Sequence, residues 1–557
     1  MRARRRVARI PRTAAVMALL GILASDTPSL LPRPWYFQGF ISGITAVVFY
    51  AFGALLEDLA DWAGLTVRVN DTARRVLKVV GIVLLVLAAL LYPAFNLVWH
   101  TLVTLYFNEP QPGPLYPVLS LLVALVVMGV FIGVFRLISL LITWVTSRTE
   151  RQVARKALAK VIATVGTLLL LAAVMDQVVV RGLLLVAKQQ ADAVNAEQPA
   201  GLRAPTEPTR SGGPGSLVPW GSIGADGSSF IASGPTAAEI ATATGGRAIE
   251  PIRIFAPIAD GRTQQQTLDL VLGEMERTRA WERRAVLVLN STSTGFVNEW
   301  AAESFEYLLN GDTAIVTMQY STLPSALALI TARDQPPQVG RLLFDAVAAR
   351  RAALPAASKP RLYVGGESLG AYGGDGAFTS ATDMLSKVDG ALWTGTPSFT
   401  PIQEELTRDR TYGSTVANPV IADGRHIRFA GDATQLTKDQ FGHVLGPWDA
   451  PRVVYLQHDT DPVVWWSTDL LFRTPAWLDE PGPPGTPMSL MSWTPVVTFW
   501  QLTADMAMSN SFAGGYGHRY QEAETVPAWA GILGMSPTAD YSRIQAAIKR
   551  ATAADGG

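Results

Sequence analysis

Long runs without charged residues in the first third of the chain limit what this part can fold into. Residues 35–56, 79–99 and 115–135 contain no Asp, Glu, Lys or Arg and are mostly apolar. A helix needs about 20 such residues to cross the hydrocarbon core of a bilayer. The sequence therefore predicts a membrane-spanning helix in each of these three runs.

Two further runs extend the predicted helical bundle to about five spans. Residues 161–180 are interrupted only by Asp176 and Gln177. Residues 13–31 are a weaker candidate, because the uninterrupted apolar part ends at Ala24. A basic start followed by a short apolar stretch also describes a signal peptide, but no clear cleavage site with small residues follows it. We therefore expect an uncleaved first span.

The basic residues of the connections predict the orientation of this bundle. The N-terminus carries six Arg. In chain order, the connection after the second run, before residue 79, carries four basic residues, and the connection after the fourth run, before residue 161, carries five. Of the alternate connections, the first contains only Arg33 and the other contains no basic residue. Lys and Arg accumulate on the cytoplasmic side of membrane proteins. The N-terminus is therefore expected in the cytoplasm and, after five spans, everything beyond about residue 185 outside it.

The composition excludes several classes of function. There are 46 basic and 46 acidic residues, so no basic excess favours nucleic acid as a partner. The chain has no Cys, which excludes a thiolate metal site and a cysteine nucleophile. We expect no cofactor and no metal, and the sequence leaves the oligomeric state open. Any histidine chemistry must use one of the five histidines, which are His100, His426, His443, His458 and His518.

After a segment rich in Pro, Gly, Ser and Thr, short β-type runs alternate with helical stretches. Such alternation predicts a doubly wound, mostly parallel sheet. The predicted organisation is an N-terminal transmembrane helical domain at 1–190, a linker and entry segment at 191–245, and an α/β domain at 246–557. The six predicted strands are residues 251–257, 285–289, 314–319, 361–365, 390–393 and 452–457.

The motif Gly366-Glu367-Ser368-Leu369-Gly370 stands between a predicted strand and a plausible helix. This is the context of a nucleophile elbow, in which a serine on a sharp turn exposes its hydroxyl and small neighbours relieve steric crowding. The turn also aims backbone N–H groups at the oxyanion that forms during acyl transfer. Ser368 is therefore the predicted nucleophile, and the N–H of Leu369 is the predicted first oxyanion donor.

A serine nucleophile needs a base and an orienting acid, and in this type of fold the acid and then the histidine follow it in the chain. Asp459 and Asp461 come directly after the last predicted strand, in His-Asp-Thr-Asp-Pro-Val-Val. We choose Asp461 over Asp459 because the Asp-Pro-Val-Val continuation is typical of an acid turn. His518 is the only later histidine and is the predicted base. His443 and His458 precede the acid and could only shape the site.

The loop after the predicted strand at 285–289 should supply the second oxyanion donor. It reads Asn-Ser-Thr-Ser-Thr-Gly from residue 290. Either Ser291 or Thr292 could present its N–H beside that of Leu369. Two such donors contribute several kcal/mol of transition-state stabilisation.

The motif at 366–370, the sequence His-Asp-Thr-Asp-Pro-Val-Val-Trp-Trp at 458–466 and the helical N-terminus together resemble the membrane-anchored α/β-hydrolases of actinobacteria. That family joins an N-terminal membrane domain to a C-terminal α/β-hydrolase domain, and the resemblance covers nearly the whole chain. It implies a serine hydrolase associated with the cell envelope, in a family whose substrates are largely unassigned.

The stretch between the predicted acid and histidine, residues 467–511, is rich in Trp, Phe and Met. It could line an acyl pocket near the bilayer, although packing is the commoner fate of such residues. The main hypothesis is a membrane-bound carboxylic-ester hydrolase or acyltransferase that acts on envelope lipid or another acyl ester. A serine peptidase or thioesterase uses the same triad. The competing class is a non-catalytic membrane channel or scaffold with a degenerate hydrolase domain.

Overall fold

The chain divides into two compact units. The computed structural model describes residues 12–64, 70–149, 181–199 and 201–555, and in addition residues 161, 165–167, 169 and 170. One unit combines Met1–Leu183 with Ser467–Met508, and the other combines Leu184–Trp466 with Ser509–Gly557. The units do not follow chain order, because a segment from the C-terminal half of the chain belongs to the N-terminal unit.

Four helices of the N-terminal unit follow the apolar runs, namely Arg12–Ser25, Trp35–Trp62, Asp71–Tyr106 and Tyr116–Thr149. Within the last three of them, the stretches Trp35–Trp62, Lys78–Tyr106 and Tyr116–Arg148 are long and apolar enough to cross a membrane. The first helix is apolar but has only 14 residues, fewer than the about 20 that a span needs. The predicted span at 161–180 lies mostly outside the described residues. Three of the five predicted spans thus correspond to helices of spanning length.

Small residues let two of these helices approach closely. A Cβ atom added at Gly39 would lie 2.4 Å from the carbonyl oxygen of Ser120, and one added at Gly43 would lie 2.6 Å from Cβ of Val127. The two glycines are four residues apart, so they lie on one face of their helix. Small residues at this spacing are a common device for helix association in membranes. The two glycines therefore leave room for the backbone and side chains of the neighbouring helix to pack closely against this one.

Polar side chains are buried where the first two helices are joined. The carboxylate of Asp26 accepts hydrogen bonds from Gln38 Nε2 at 2.7 Å and from Asn96 Nδ2 at 2.9 Å. The hydroxyl of Tyr116 donates to the carbonyl oxygen of Arg33 at 2.8 Å. These bonds fix the connection between the first two helices against the two that follow.

The segment Ser467–Met508 is tied to this connection by its last helix, Val497–Met506. The fully buried carboxylate of Asp505 accepts a hydrogen bond from the hydroxyl of Ser29. It also forms an ion pair with Arg33, with 3.3 Å between Arg33 Nε and Asp505 Oδ1. A buried ion pair thus makes the segment part of the N-terminal unit. Its other α-helices are Ala476–Asp479 and Pro487–Leu490.

The second unit is built on a sheet of seven strands, in which all neighbouring strands are parallel. The strand order is β1-β3-β2-β4-β5-β7-β6. The predicted parallel sheet is confirmed, but β6 was not predicted, because its run is short and also includes the charged Arg428. The strands are β1 Ile252–Ala256, β2 Ala285–Asn290, β3 Thr313–Met318, β4 Arg361–Glu367, β5 Gly390–Thr394, β6 Ile427–Ala430 and β7 Arg452–Leu456.

Helices cover both faces of this sheet, which explains why its strands are buried along nearly their whole length. Successive residues alternate between two apolar clusters, so that Ile254 lies in one and Phe255 in the other. One cluster includes residues of Gln264–Arg277, Gln335–Ala352, Ala381–Lys387 and Pro401–Arg408. The other includes residues of Ala225–Ala232, Ala237–Thr244, Glu299–Leu308, Glu522–Ile532 and Ser542–Asp555. Further helices of the unit are Arg181–Ala196, Ser325–Thr331, Leu369–Asp375 and Pro462–Trp465.

Replacing Asp505 by Ala should strongly destabilise the N-terminal unit. The change leaves the buried guanidinium of Arg33 without its carboxylate, and breaking a buried ion pair costs about 3–5 kcal/mol. Asp479 is exposed in the same segment, so Asp479→Ala is the matched control. Thermal unfolding in detergent, followed by Trp fluorescence, should show a clearly lower midpoint for Asp505→Ala alone. Equal midpoints for the two variants would show that the ion pair does not hold the segment.

Candidate active site

Residues that are far apart in sequence meet at one edge of the sheet. The carboxyl ends of parallel strands lie at the same edge, and in open α/β sheets this is where ligands bind. Strands β2, β4 and β5 end directly before Ser291, Ser368 and Gly395, respectively, and β7 ends five residues before Asp461. The edge therefore collects most of the residues that the sequence predicts for catalysis.

Ser368 lies on a strained turn between β4 and the helix that follows it. Its backbone angles are φ 56° and ψ −122°, a region that residues other than glycine rarely occupy. Its N–H donates to the carbonyl oxygen of Thr394 at 3.0 Å. A Cβ atom at Gly370 would lie 2.3 Å from the carbonyl oxygen of Asn290, so only glycine permits this approach. The turn itself thus requires the glycine that stands two residues after the serine.

The carboxylate of Asp461 is fully buried and is the partner of His518. His518 Nδ1 lies 2.7 Å from Asp461 Oδ2, and the hydroxyl of Tyr520 donates to the same oxygen at 2.7 Å. The other oxygen, Oδ1, accepts from the N–H of Val463 at 2.9 Å. Because the Nδ1 proton points to a carboxylate, Nε2 of a neutral His518 is an acceptor. Within the described residues this Nε2 has no hydrogen-bond partner.

Two carboxyl groups act on the protonation of His518. Burial of the imidazole lowers its pKa, but the charge and hydrogen bond of Asp461 and the charge of Glu367 outweigh this effect, so the pKa lies above its ordinary value. Burial in turn raises the pKa of the Glu367 carboxyl. Asn298 donates through Nδ2 to Glu367 Oε2 and, at 3.1 Å, to the carbonyl oxygen of Tyr520. The residue before the nucleophile is therefore an electrostatic neighbour of the histidine.

Gly395, which follows β5, lies directly against the ring of His518. Its φ is +55°, and a Cβ atom there would lie 2.3 Å from His518 Cε1. Any side chain at this position would both strain the backbone and displace the imidazole. Gly395 thus determines how close the ring can come to the end of β5.

The loop after β2 distinguishes the two predicted oxyanion donors. The N–H of Thr292 donates to the carbonyl oxygen of Phe296 at 2.9 Å, which closes the loop on itself. The backbone of Ser291 lies against the elbow, because a Cβ atom at Gly370 would be 3.2 Å from the carbonyl carbon of Ser291. The N–H of Thr292 is therefore already engaged, whereas the backbone of Ser291 borders the nucleophile turn.

The remaining predicted residues separate into those at the site and those away from it. The ring of His443 is exposed and binds Asp439, with 2.9 Å between His443 Nδ1 and Asp439 Oδ2. His458 is buried at the site and stacks on Tyr520. The sequence does not predict the roles of Tyr520 and Asn298, because both act through contacts with residues distant in the chain and belong to no motif.

Two family models match the chain. The model of an α/β-hydrolase family matches residues 252–544, which include every residue of this site. The model of an α/β-hydrolase family N-terminus matches residues 27–235. No curated protein and no solved structure matches the chain.

Replacing Glu367 by Gln should lower the pKa of His518. The amide keeps an acceptor for Asn298 but removes one of the two negative charges that stabilise the imidazolium. Protein labelled in its histidine rings can be titrated by NMR, with the His518 signal assigned through His518→Gln. Glu282→Gln, at an exposed site paired with Arg279, is the control and should leave the titration unchanged. An unshifted pKa in Glu367→Gln would contradict the electrostatic role of Glu367.

Proposed function

Because the chain belongs to the α/β-hydrolase family, we propose that it is a membrane-associated serine hydrolase with Ser368 as its nucleophile. The observation that carries the proposal is the 2.7 Å contact between His518 and Asp461, at the sheet edge that also holds the strained serine. A serine hydroxyl is a poor nucleophile near neutral pH, and a histidine oriented by a carboxylate can remove its proton. In this proposal His518 is the base and Asp461 the orienting acid.

In the proposed reaction, Oγ of Ser368 attacks the carbonyl carbon of an ester while Nε2 of His518 takes the hydroxyl proton. The tetrahedral intermediate then collapses, the alcohol leaves with the proton from His518, and the acyl group remains on Ser368. Water, or a second alcohol in acyl transfer, attacks this acyl-enzyme and gives its proton to His518. The serine leaves with that proton, so His518 is neutral again at the end of the cycle.

Two backbone N–H groups would stabilise the oxyanion in both steps. The N–H of Leu369 follows the nucleophile on the turn, as the elbow geometry requires. We assign the second donor to Ser291 in preference to Thr292, because the N–H of Thr292 is used by Phe296. Loss of one such donor typically lowers kcat about 10²–10³-fold.

An apolar cluster beside the nucleophile favours an acyl ester as the substrate. Leu369 and Tyr372, on the helix that Ser368 begins, pack with Ala328. The rings of Tyr372 and Phe399 meet edge to face, with 5.4 Å between their centroids. Leu323, Leu329 and Phe399 lie partly buried against this cluster. Apolar surface next to a nucleophile can take up the chain of an acyl group, so we propose carboxylic-ester hydrolysis or acyl transfer in preference to peptide hydrolysis.

The membrane helices suggest where such an ester would come from. In the part of the chain that the structure describes, three helices are long and apolar enough to span a bilayer. The basic residues of the connections favour five crossings with the C-terminus outside the cytoplasm. An external catalytic domain attached to the membrane would meet envelope lipids and exported acyl donors. We therefore propose a lipid or acyl ester of the cell envelope as the substrate, with membrane lipids as neighbours and no nucleic-acid partner.

A fluorophosphonate should label the purified protein once per chain, at Ser368. Ser368→Ala should abolish labelling and ester hydrolysis while the protein stays folded, because the attacking oxygen is missing. His518→Gln should lower kcat about 10⁴–10⁶-fold, as loss of a triad base does elsewhere. Ser358→Ala, at an exposed serine, is the matched control. A folded wild-type protein that takes no label would instead support a non-catalytic scaffold, and undiminished hydrolysis by Ser368→Ala would refute the nucleophile.

Fusions at the C-terminus should reveal its side of the membrane. A phosphatase that is active only after export should be active when fused to Gly557, and a fluorescent protein that folds only in the cytosol should stay dark. The expectation follows from the basic residues, which lie on one side of the predicted bundle. Fusions at Asn70, in the second connection, should give the opposite pattern. A fluorescent C-terminal fusion would mean an even number of crossings and a cytosolic substrate.

A further inference from the structure

His458 is a buried histidine that the proposed reaction does not use. Its ring stacks on that of Tyr520, with 4.2 Å between the ring centroids and 14° between the planes. Nδ1 lies 2.9 Å from the carbonyl oxygen of Gly517, the residue before His518. Nε2 lies 3.3 Å from Oε1 of Glu524. Both ring nitrogens therefore have partners that can only accept a proton.

These partners determine the protonation of the ring. A carbonyl oxygen cannot donate, so Nδ1 of His458 carries a proton. Burial lowers the pKa of His458, but the nearby carboxylate of Glu524 raises it above its ordinary value. Glu524 is held in turn by the backbone N–H of Gln521, which donates to its Oε2 at 2.8 Å. His458 and Glu524 thus form a buried pair on a fixed support.

The contacts of His458 reach both sides of His518. On one side, Gly517 is held through its carbonyl oxygen by His458 and through its N–H by Oγ1 of Thr460, at 3.0 Å. On the other side, the backbone N–H of His458 donates to the hydroxyl of Tyr520 at 3.2 Å. That hydroxyl donates to Asp461 Oδ2, the oxygen that also binds His518. His458 therefore supports Gly517, the residue before the proposed base, and Tyr520, which lies two residues after it.

We propose that His458, together with Glu524, is a positioning residue that holds the loop of His518 so that Nδ1 stays on Asp461 and Nε2 stays available to Ser368. The proposal rests on the proposed function, because it assigns His518 as the base. It goes beyond the triad, because it makes the rate depend on a second histidine that touches neither substrate nor nucleophile. A purely structural role would instead change the amount of folded protein and leave the turnover of each folded molecule unchanged.

Two substitutions separate the contacts of the two ring nitrogens. His458→Asn places an N–H₂ group near the position of Nδ1 and can still donate to Gly517. His458→Gln places an N–H₂ group near the position of Nε2, so it can reach Glu524 but leaves the carbonyl of Gly517 without its donor. Both side chains are neutral and differ by one methylene group. If the support of Gly517 positions His518, the Gln variant is the more impaired of the two.

Turnover should be measured with a chromogenic long-chain ester, and the active sites should be counted by titration with a fluorophosphonate. We expect His458→Gln to lower kcat per titrated site about tenfold, which corresponds to about 1.4 kcal/mol in the barrier, with KM nearly unchanged. His458→Asn should keep kcat within about threefold of wild type, because its side chain can still donate to the carbonyl oxygen of Gly517. His426→Gln is the control, because Nδ1 of His426 also faces backbone carbonyls, those of Asp449 and Pro451, away from this site.

A second readout does not depend on turnover. The NMR signals of the His518 ring report its contact with Asp461, and they should shift in His458→Gln and much less in His458→Asn. Wild-type kcat per site together with unshifted His518 signals in His458→Gln would overturn the proposal. If that variant gives no folded protein, Thr460→Val decides, because it removes the acceptor of the Gly517 N–H and so weakens the same support. Lower kcat per site is then the expected result, and wild-type kcat is the refutation. Failure of the wild-type protein to react with the fluorophosphonate would refute the proposed function itself.

Discussion

A carboxylate without exposed surface is stable only when hydrogen-bond donors surround it, and the carboxylate of Asp461 receives three. Two of them, from His518 and Tyr520, meet on Oδ2, and the third, from Val463, meets Oδ1. This arrangement fixes the proton of His518 on Nδ1 and leaves Nε2 as the acceptor. The strained Ser368, the close approach at Gly370 and the stacked His458 are arranged around this interaction at one edge of the sheet.

The chain leaves the α/β unit between Asp461 and His518 and returns only after forming part of the N-terminal unit. Its intervening segment is held there by the buried pair of Asp505 and Arg33. Trp477 and Met488, which could have lined an acyl pocket, are buried within that unit. The apolar cluster beside Leu369 is also mostly buried, and only Leu323, Leu329 and Phe399 at its margin keep part of their surface exposed. A segment rich in Trp and Met therefore indicates burial, but its composition does not distinguish a core from a pocket.

Local signals in the sequence predict much of this arrangement. The parallel sheet follows from alternating strands and helices, and the nucleophile turn follows from a motif whose small residues the backbone requires. Strand β6 has only four residues and one of them is the charged Arg428, so its pattern is too weak to be recognised. The support from Tyr520 and Asn298, and the engagement of the Thr292 N–H by Phe296, depend on where separate loops meet in space. Such contacts leave no periodic pattern in the chain, and only the folded structure reveals them.

A structure of the protein after reaction with diethyl fluorophosphate would test most directly whether the buried pair of Asp461 and His518 serves Ser368. The phosphorus should be bonded to Oγ of Ser368, with His518 Nδ1 still within hydrogen-bond distance of Asp461 Oδ2. The phosphoryl oxygen should lie within reach of the N–H groups of Leu369 and Ser291. Phosphorus bonded to a different side chain, or a His518 ring turned away from Asp461, would contradict this account of the site.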